Sequence, residues 1–244
     1  MPDRNAPIEE RIKPIVSRLK KAYPDATIAL DFTTPLECLV ATILAAQSTD
    51  VRVNIVTKDL FKKYQRPEDY LAVSETELQE DIRSTGFFNQ KARALRGMSQ
   101  TLIDEFDGEV PQTIPELLKL KGVARKTANV VQNACFPEAA KKDPEAGIAV
   151  DTHVGRVSVR LGITEHDSKE APRIEQDLMR IVPKKEWPKL SHLFIDHGRQ
   201  ICDAKKPVCD ECPIEKLCPS SQVAGCPDLY RLKAKPRPRR KKVT

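Results

Sequence analysis

The chain has 244 residues, enough for one large domain or two small ones with a real core, and 40% of them are apolar. No apolar run approaches the ~18–20 residues that a bilayer span needs, and the opening stretch MPDRNAPIEERIKP holds no apolar secretory core. A membrane-spanning helix is not expected, and a soluble intracellular protein is.

Charge is unevenly placed. Residues 231–244 carry eight Lys/Arg and no acid, so the overall +6 becomes −2 without them. Any nucleic-acid surface on the folded part is then a local patch, with the tail a separate basic element.

In chain order, Ile8, Ile12, Ile15, Val16 and Leu19 recur at helical spacing and predict an amphipathic first helix. Pro35 opens a second, apolar helix over 36–46, with Gln47 just beyond it. Ser48-Thr49-Asp50 is a capping sequence for a third, from about Val51 to Tyr64. Helical stretches follow at 76–83, 89–106, 113–119, 125–135, 152–161, 170–181 and 187–200. Strand-like alternation is nearly absent and only nine glycines punctuate the chain, so the expected fold is all-α. Residues 136–147, with two prolines and mixed charge, read as a loop. Residues 223–244 read as a linker and a flexible basic tail.

Three clusters carry chemistry. Leu120-Lys121-Gly122-Val123-Ala124-Arg125-Lys126-Thr127-Ala128 joins two helical stretches through a glycine turn. The second helix then starts with free backbone N–H groups, which suit a phosphate and read no sequence. Lys126 lies in the first turn beside Arg125, where helix dipole and neighbouring cation both oppose a second charge. A partly buried lysine there offers an amine nucleophile; a surface lysine touching phosphate is the plainer alternative. Next, the apolar run from Gly147 ends in Asp151, a natural N-cap for the helix that follows.

The third cluster is Cys202-x6-Cys209-x2-Cys212-x5-Cys218, four of the chain's seven cysteines within 17 residues. In an intracellular chain this points to a metal, either tetrahedral zinc or a 4Fe-4S cubane. A single close pair with gaps of six and five favours iron–sulfur over zinc. Cys38 and Cys135, in apolar helical stretches, read as core.

At these residues the chain resembles the endonuclease III family. The hairpin is similar to its Leu-Pro-Gly-Val-Gly-x-Lys-Thr-Ala segment, with Lys121 and Ala124 standing where the family has proline and glycine. Val150-Asp151-Thr152-His153-Val154 resembles the family's catalytic-aspartate motif, and the cysteine spacing its iron–sulfur loop. The resemblance runs from about Ile8 to Cys218. It implies two helical lobes: a bundle with the hairpin over 28–145, and a cluster domain from 1–27 and 146–222. It implies a monomeric DNA glycosylase and abasic-site lyase acting on duplexes with oxidised pyrimidines or abasic sites, nucleoid-associated in the cytoplasm if bacterial. Lys126 is then the nucleophile and Asp151 the assisting acid. Gln47 and Phe87, the latter in Gly86-Phe87-Phe88-Asn89, are intercalating wedges. Lys121, Gly122, Val123, Ala124 and Arg125 are hairpin contacts, His153 lies at the pocket mouth, and Lys205 and Lys206 form a phosphate clamp.

The rival reading within the family, an adenine-mispair glycosylase, needs a glutamate on the second helix, and 38–49 contains no carboxylate. Lys126 argues against a thymine-mismatch enzyme, and the four cysteines against an 8-oxoguanine glycosylase. A noncatalytic DNA binder with a metal staple needs neither Lys126 nor Asp151.

Overall fold

A computed structural model describes residues 2–233. The chain divides into two compact units, one of Ile28–Ala149, the other of the stretches up to Thr27 and from Val150 on. Among the described residues the regular structure is helical, with no strand, in accord with the all-α expectation.

Helix α1 (Ile8–Ala22) belongs to the second unit and buries Ile12, Ile15, Val16 and Leu19. The first unit begins with α2 (Pro35–Leu44). Thr34 caps it through the backbone N–H of Glu37, and the Glu37 carboxylate reaches back, a reciprocal capping box. This helix is apolar on nearly every side and buries Cys38 to Ala41, Ile43 and Leu44, so it forms the centre of the unit. Around it stand α3 (Asp50–Lys63), capped by Thr49, then α4 (Pro67–Ala72), α5 (Glu75–Ile82) and the long α6 (Phe88–Phe106). The Tyr64 and Tyr70 rings stack 4.8 Å apart within this core. Helices α7 (Ile114–Leu117) and α8 (Arg125–Cys135) flank the hairpin, and α8 packs on α2.

The expected loop at 136–147 is in part a helix, α9 (Pro137–Lys142). Pro137 stands at its first position, Glu138 in its first turn and Lys141 and Lys142 in its last, each favourable to a short helix. The two prolines that suggested irregular chain in fact bracket it. Residues up to Ala149 stay with this unit, where the Asn133 side chain donates to Gly147 O at 3.0 Å.

The second unit continues with α10 (Thr152–Arg160), α11 (Ala171–Ile181) and α12 (Trp187–Gln200). Buried Arg11 donates to Leu161 O and Leu217 O at 2.9 and 2.8 Å, tying α1 to the end of α10 and to the cysteine loop. The fold does not stop at residue 222. Helix α13 (Leu229–Lys233) packs against α10, with Asp228 paired to Arg160 at 3.0 Å and Arg160 lying over the Tyr230 ring. Asp228 and Tyr230 give this stretch the partners that separate it from the basic run after it. The tail expected over 223–244 thus begins as folded chain, and residues 234–244 lie outside those described.

Candidate active site

The hairpin turns at Gly122, where φ is +80° and an added Cβ would sit 2.6 Å from the Ala94 Cβ. Both facts restrict this position to glycine. Ala124 has φ −95° and an extended backbone, so alanine is unstrained where the family pattern has glycine. As N-cap residue it has no side-chain oxygen, and α8 opens without a side-chain cap. Lys121 lays its stem against Gly97 of α6, close enough that a Cβ on Gly97 would meet Lys121 Cδ at 2.7 Å. The side chain thereby packs on the bundle, and Gly97 is the residue that makes room for it.

Lys126 is exposed rather than partly buried. It stands in the first turn of α8, ahead of the packed face that begins at Ala128. It makes no hydrogen bond or ion pair among the described residues, while Arg125 beside it approaches Glu145 at 3.6 Å.

Gln47 and Phe87 lie on the same unit as Lys126, each exposed and each in the left-handed region, with φ +54° and +49°. Phe87 is 55% exposed, which is unusual for a phenylalanine and argues against a core role. Left-handed backbone at a non-glycine residue persists only where the surroundings hold it, and such residues gather at functional sites.

Asp151 stands on the second unit as N-cap of α10. Its Oδ1 accepts from the backbone N–H of His153 and of Val154, both at 2.8 Å. Its other carboxylate oxygen takes no hydrogen bond from the described residues. Burial holds the His153 imidazole below its ordinary pKa, against the pull of Asp151 and with the cations of Arg156 and Arg199 acting in the same direction as burial. The ring is neutral at pH 7, and its Nδ1 accepts from Arg156 at 3.0 Å.

Helix α10 links this acid to the cysteine loop. Arg156, 5% exposed, donates to Cys202 O at 2.9 Å and Gly198 O at 2.8 Å. Arg160, one turn on, reaches Cys202 Sγ at 3.3 Å and Asp203 O at 2.6 Å. These two arginines are not singled out by the sequence reading. The signal for them is two cations at i, i+4 in a helix whose neighbours Val154, Val157 and Leu161 are all buried.

Cys202, Cys209, Cys212 and Cys218 line one cavity with Arg160 and His197. Burial pushes the Cys212 and Cys218 thiols up to about 12, with the neighbouring sulfurs adding to it, and raises Cys202 as well. Thiols so placed ionise only when a cationic centre among them compensates. Among the described residues no three or more His, Cys, Asp or Glu are drawn in closely enough to hold a metal ion. Four thiols lining one cavity are a donor set for a bound metal centre, tetrahedral zinc or a 4Fe-4S cubane. Lys205 and Lys206 are exposed in the first loop of this set, which turns because Asp203 Oδ1 accepts from both their backbone N–H groups, at 2.8 and 2.9 Å.

Lys126 with its hairpin, Gln47 and Phe87 thus share one unit, and Asp151, His153, the two lysines and the four cysteines share the other.

The pattern of the HhH-GPD superfamily base excision DNA repair proteins matches residues 40–184. Endonuclease III of Synechocystis is 48% identical over 216 residues, covering 88% of this chain and 95% of that protein. Endonuclease III of Bacillus subtilis is 45% identical over 213 residues, covering 87% and 94%. A solved endonuclease III–DNA covalent intermediate superposes with a TM-score of 0.81 at 44% identity, over 89% of this chain and 98% of that one. A thermostable thymine-DNA glycosylase shares the fold, with a TM-score of 0.73 at 22% identity. Matched nearly end to end by such relatives, this chain belongs to the HhH-GPD superfamily of base excision DNA repair proteins, within its endonuclease III family.

Proposed function

We propose that the chain excises oxidised pyrimidines from duplex DNA and nicks the strand through a Schiff base on Lys126. The family makes it a DNA glycosylase of base excision repair; the lysine chemistry is the finer reading. The observation that carries it is the exposed Lys126, without a partner among the described residues, set on the uncapped first turn of the hairpin's second helix, in a chain 48% identical to an endonuclease III.

In this reading the N–H groups at the start of α8, with Lys121, Gly122, Val123, Ala124 and Arg125, hold a phosphate beside the lesion. Gln47 and Phe87 fill the gap left by the rotated nucleotide. The neutral amine of Lys126 attacks C1′. The C1′–N bond breaks, and the base departs with its electron pair and takes up a proton. The Asp151 carboxylate stabilises the positive charge growing on the sugar. Ring opening gives the Schiff base; loss of a C2′ proton then expels the 3′ phosphate and nicks the strand. His153 lines the pocket mouth, and Lys205 and Lys206 contact phosphate. Cys202, Cys209, Cys212 and Cys218 hold a 4Fe-4S cluster that staples their loop. Substitution and elimination consume no electron, so no step passes through it.

The test is borohydride reduction of the protein mixed with a duplex holding one oxidised pyrimidine. A covalent protein–DNA adduct is expected. Base release without an adduct would overturn the Schiff base and leave a glycosylase that uses water.

Asp151 separates charge from capping. Asparagine caps helices as well as aspartate does, so Asp151→Asn is expected to leave the melting temperature unchanged while base excision falls by about a hundredfold. Asp151→Ala should add about 1 kcal/mol of lost stability. Excision by Asp151→Asn at the wild-type rate would remove the charge from the mechanism.

A further inference from the structure

Helix α6 buries Lys91, Ala92, Leu95, Met98, Ser99 and Leu102 along one stripe, and the lysine is the only charged residue on it. Lys91 is 5% exposed. A buried ammonium is costly unless its protons are hydrogen-bonded, and no carboxylate pairs with it among the described residues. It donates instead to two backbone carbonyls, Leu44 O at 2.7 Å and Thr85 O at 2.8 Å. These carbonyls come from segments far apart in sequence. Leu44 is the last residue of α2, three before Gln47, and the cation meets the negative end of that helix. Thr85 closes the short 3₁₀ turn Arg83–Thr85, two before Phe87. Two or three residues downstream of each anchored carbonyl the chain reaches a left-handed, exposed, non-glycine residue. An apolar side chain at 91 would leave both carbonyls without this donor. One ammonium thus ties together the two chain segments that lead into Gln47 and Phe87.

We propose that Lys91 is a positioning residue that yokes the Gln47 and Phe87 turns into one duplex-opening edge. This rests on the reading of Gln47 and Phe87 as wedges given above.

The test uses the cluster-loaded enzyme with Lys91→Met, of similar size but without donors, and Lys91→Gln, which keeps a shorter N–H donor. Single-turnover borohydride trapping is measured on an oxidised pyrimidine in a duplex and on an abasic site already unpaired in a bubble. Fluorescence of 2-aminopurine beside the duplex lesion reports unstacking. Lys91→Met is expected to slow the duplex reaction about tenfold or more and to suppress the fluorescence rise, yet to stay within about twofold of wild type on the bubble. Lys91→Gln should fall between, and that ordering decides the matter if the methionine variant does not fold. Added to Gln47→Ala with Phe87→Ala, Lys91→Met should cost less than about twofold more, because all three act in one step. Equal losses on duplex and bubble, an undiminished duplex rate, or full additivity would each overturn the proposal. Failure of the wedge reading looks different: Gln47→Ala with Phe87→Ala would then excise from duplex at the wild-type rate.

Discussion

Lys126→Gln is expected to abolish both the borohydride adduct and strand nicking, by at least about a thousandfold, while the protein folds and binds DNA. Nucleophile removal is among the largest single-residue effects in enzymes that form covalent intermediates. Glutamine keeps most of the length and the polarity of lysine without its amine. Because Lys126 is exposed and has no partner among the described residues, its loss removes no packing and no bridge, and a stability change within about 0.5 kcal/mol is expected. Removing a cation from the first turn of α8 even favours the helix slightly. Thermal melting, DNA affinity and nicking, measured on one preparation, separate the possibilities. Nicking at the wild-type rate would return Lys126 to the plainer role of a phosphate contact. Loss of nicking with DNA affinity also lost in proportion would say the same.

The parts of this fold with a strong local signal were readable from sequence. Pro35, the capping sequence around Thr49, the apolar run of α2 and the stripe of α1 place those helices where the sequence predicts them. Helix α4, six residues opened by Pro67, is too short to show a periodicity, and α9 was hidden by the prolines flanking it. The composition of the stretch before Lys233 points to tail, but the buried pair of Arg160 with Asp228, the Tyr230 ring beside Arg160 and the Lys233 contacts with Thr164 and Glu165 fold it back. At the candidate site, Gly122 is legible because glycine is the usual residue of a left-handed turn, whereas the left-handed backbone at Gln47 and Phe87 carries no mark in the residue type. Lys91, Arg156 and Arg160 are silent in the sequence for a common reason. A cation on an apolar stripe reads as an interruption until the carbonyls that accept its protons are seen, and those come from 6 to 47 residues away.

Replacing one cluster ligand, as in Cys212→Ser, is expected to remove the visible iron–sulfur absorption and the bound iron, and to destabilise the second unit by about 4 kcal/mol or more. In a chain of this size that is roughly 8–16 °C in melting temperature. The cause is electrostatic as much as covalent. Cys202, Cys212 and Cys218 are half-buried thiols whose surroundings oppose ionisation, and in the proposed reading the cluster that binds them also organises the loop from 202 to 218. Without it that loop has few apolar anchors of its own, chiefly Ile214 and Leu217. The loss should reach the candidate acid. Arg156 and Arg160 hold Cys202 through its carbonyl and sulfur, and both ride on α10, the helix whose first turn is capped by Asp151. Base excision should therefore fall with the cluster, and Cys226→Ser, outside the four-ligand spacing, should leave colour, iron and excision unchanged. Zinc in place of iron in the purified wild-type protein would overturn the cubane. An unaltered melting temperature in Cys212→Ser would show that the loop is held by its arginines and its small apolar core alone.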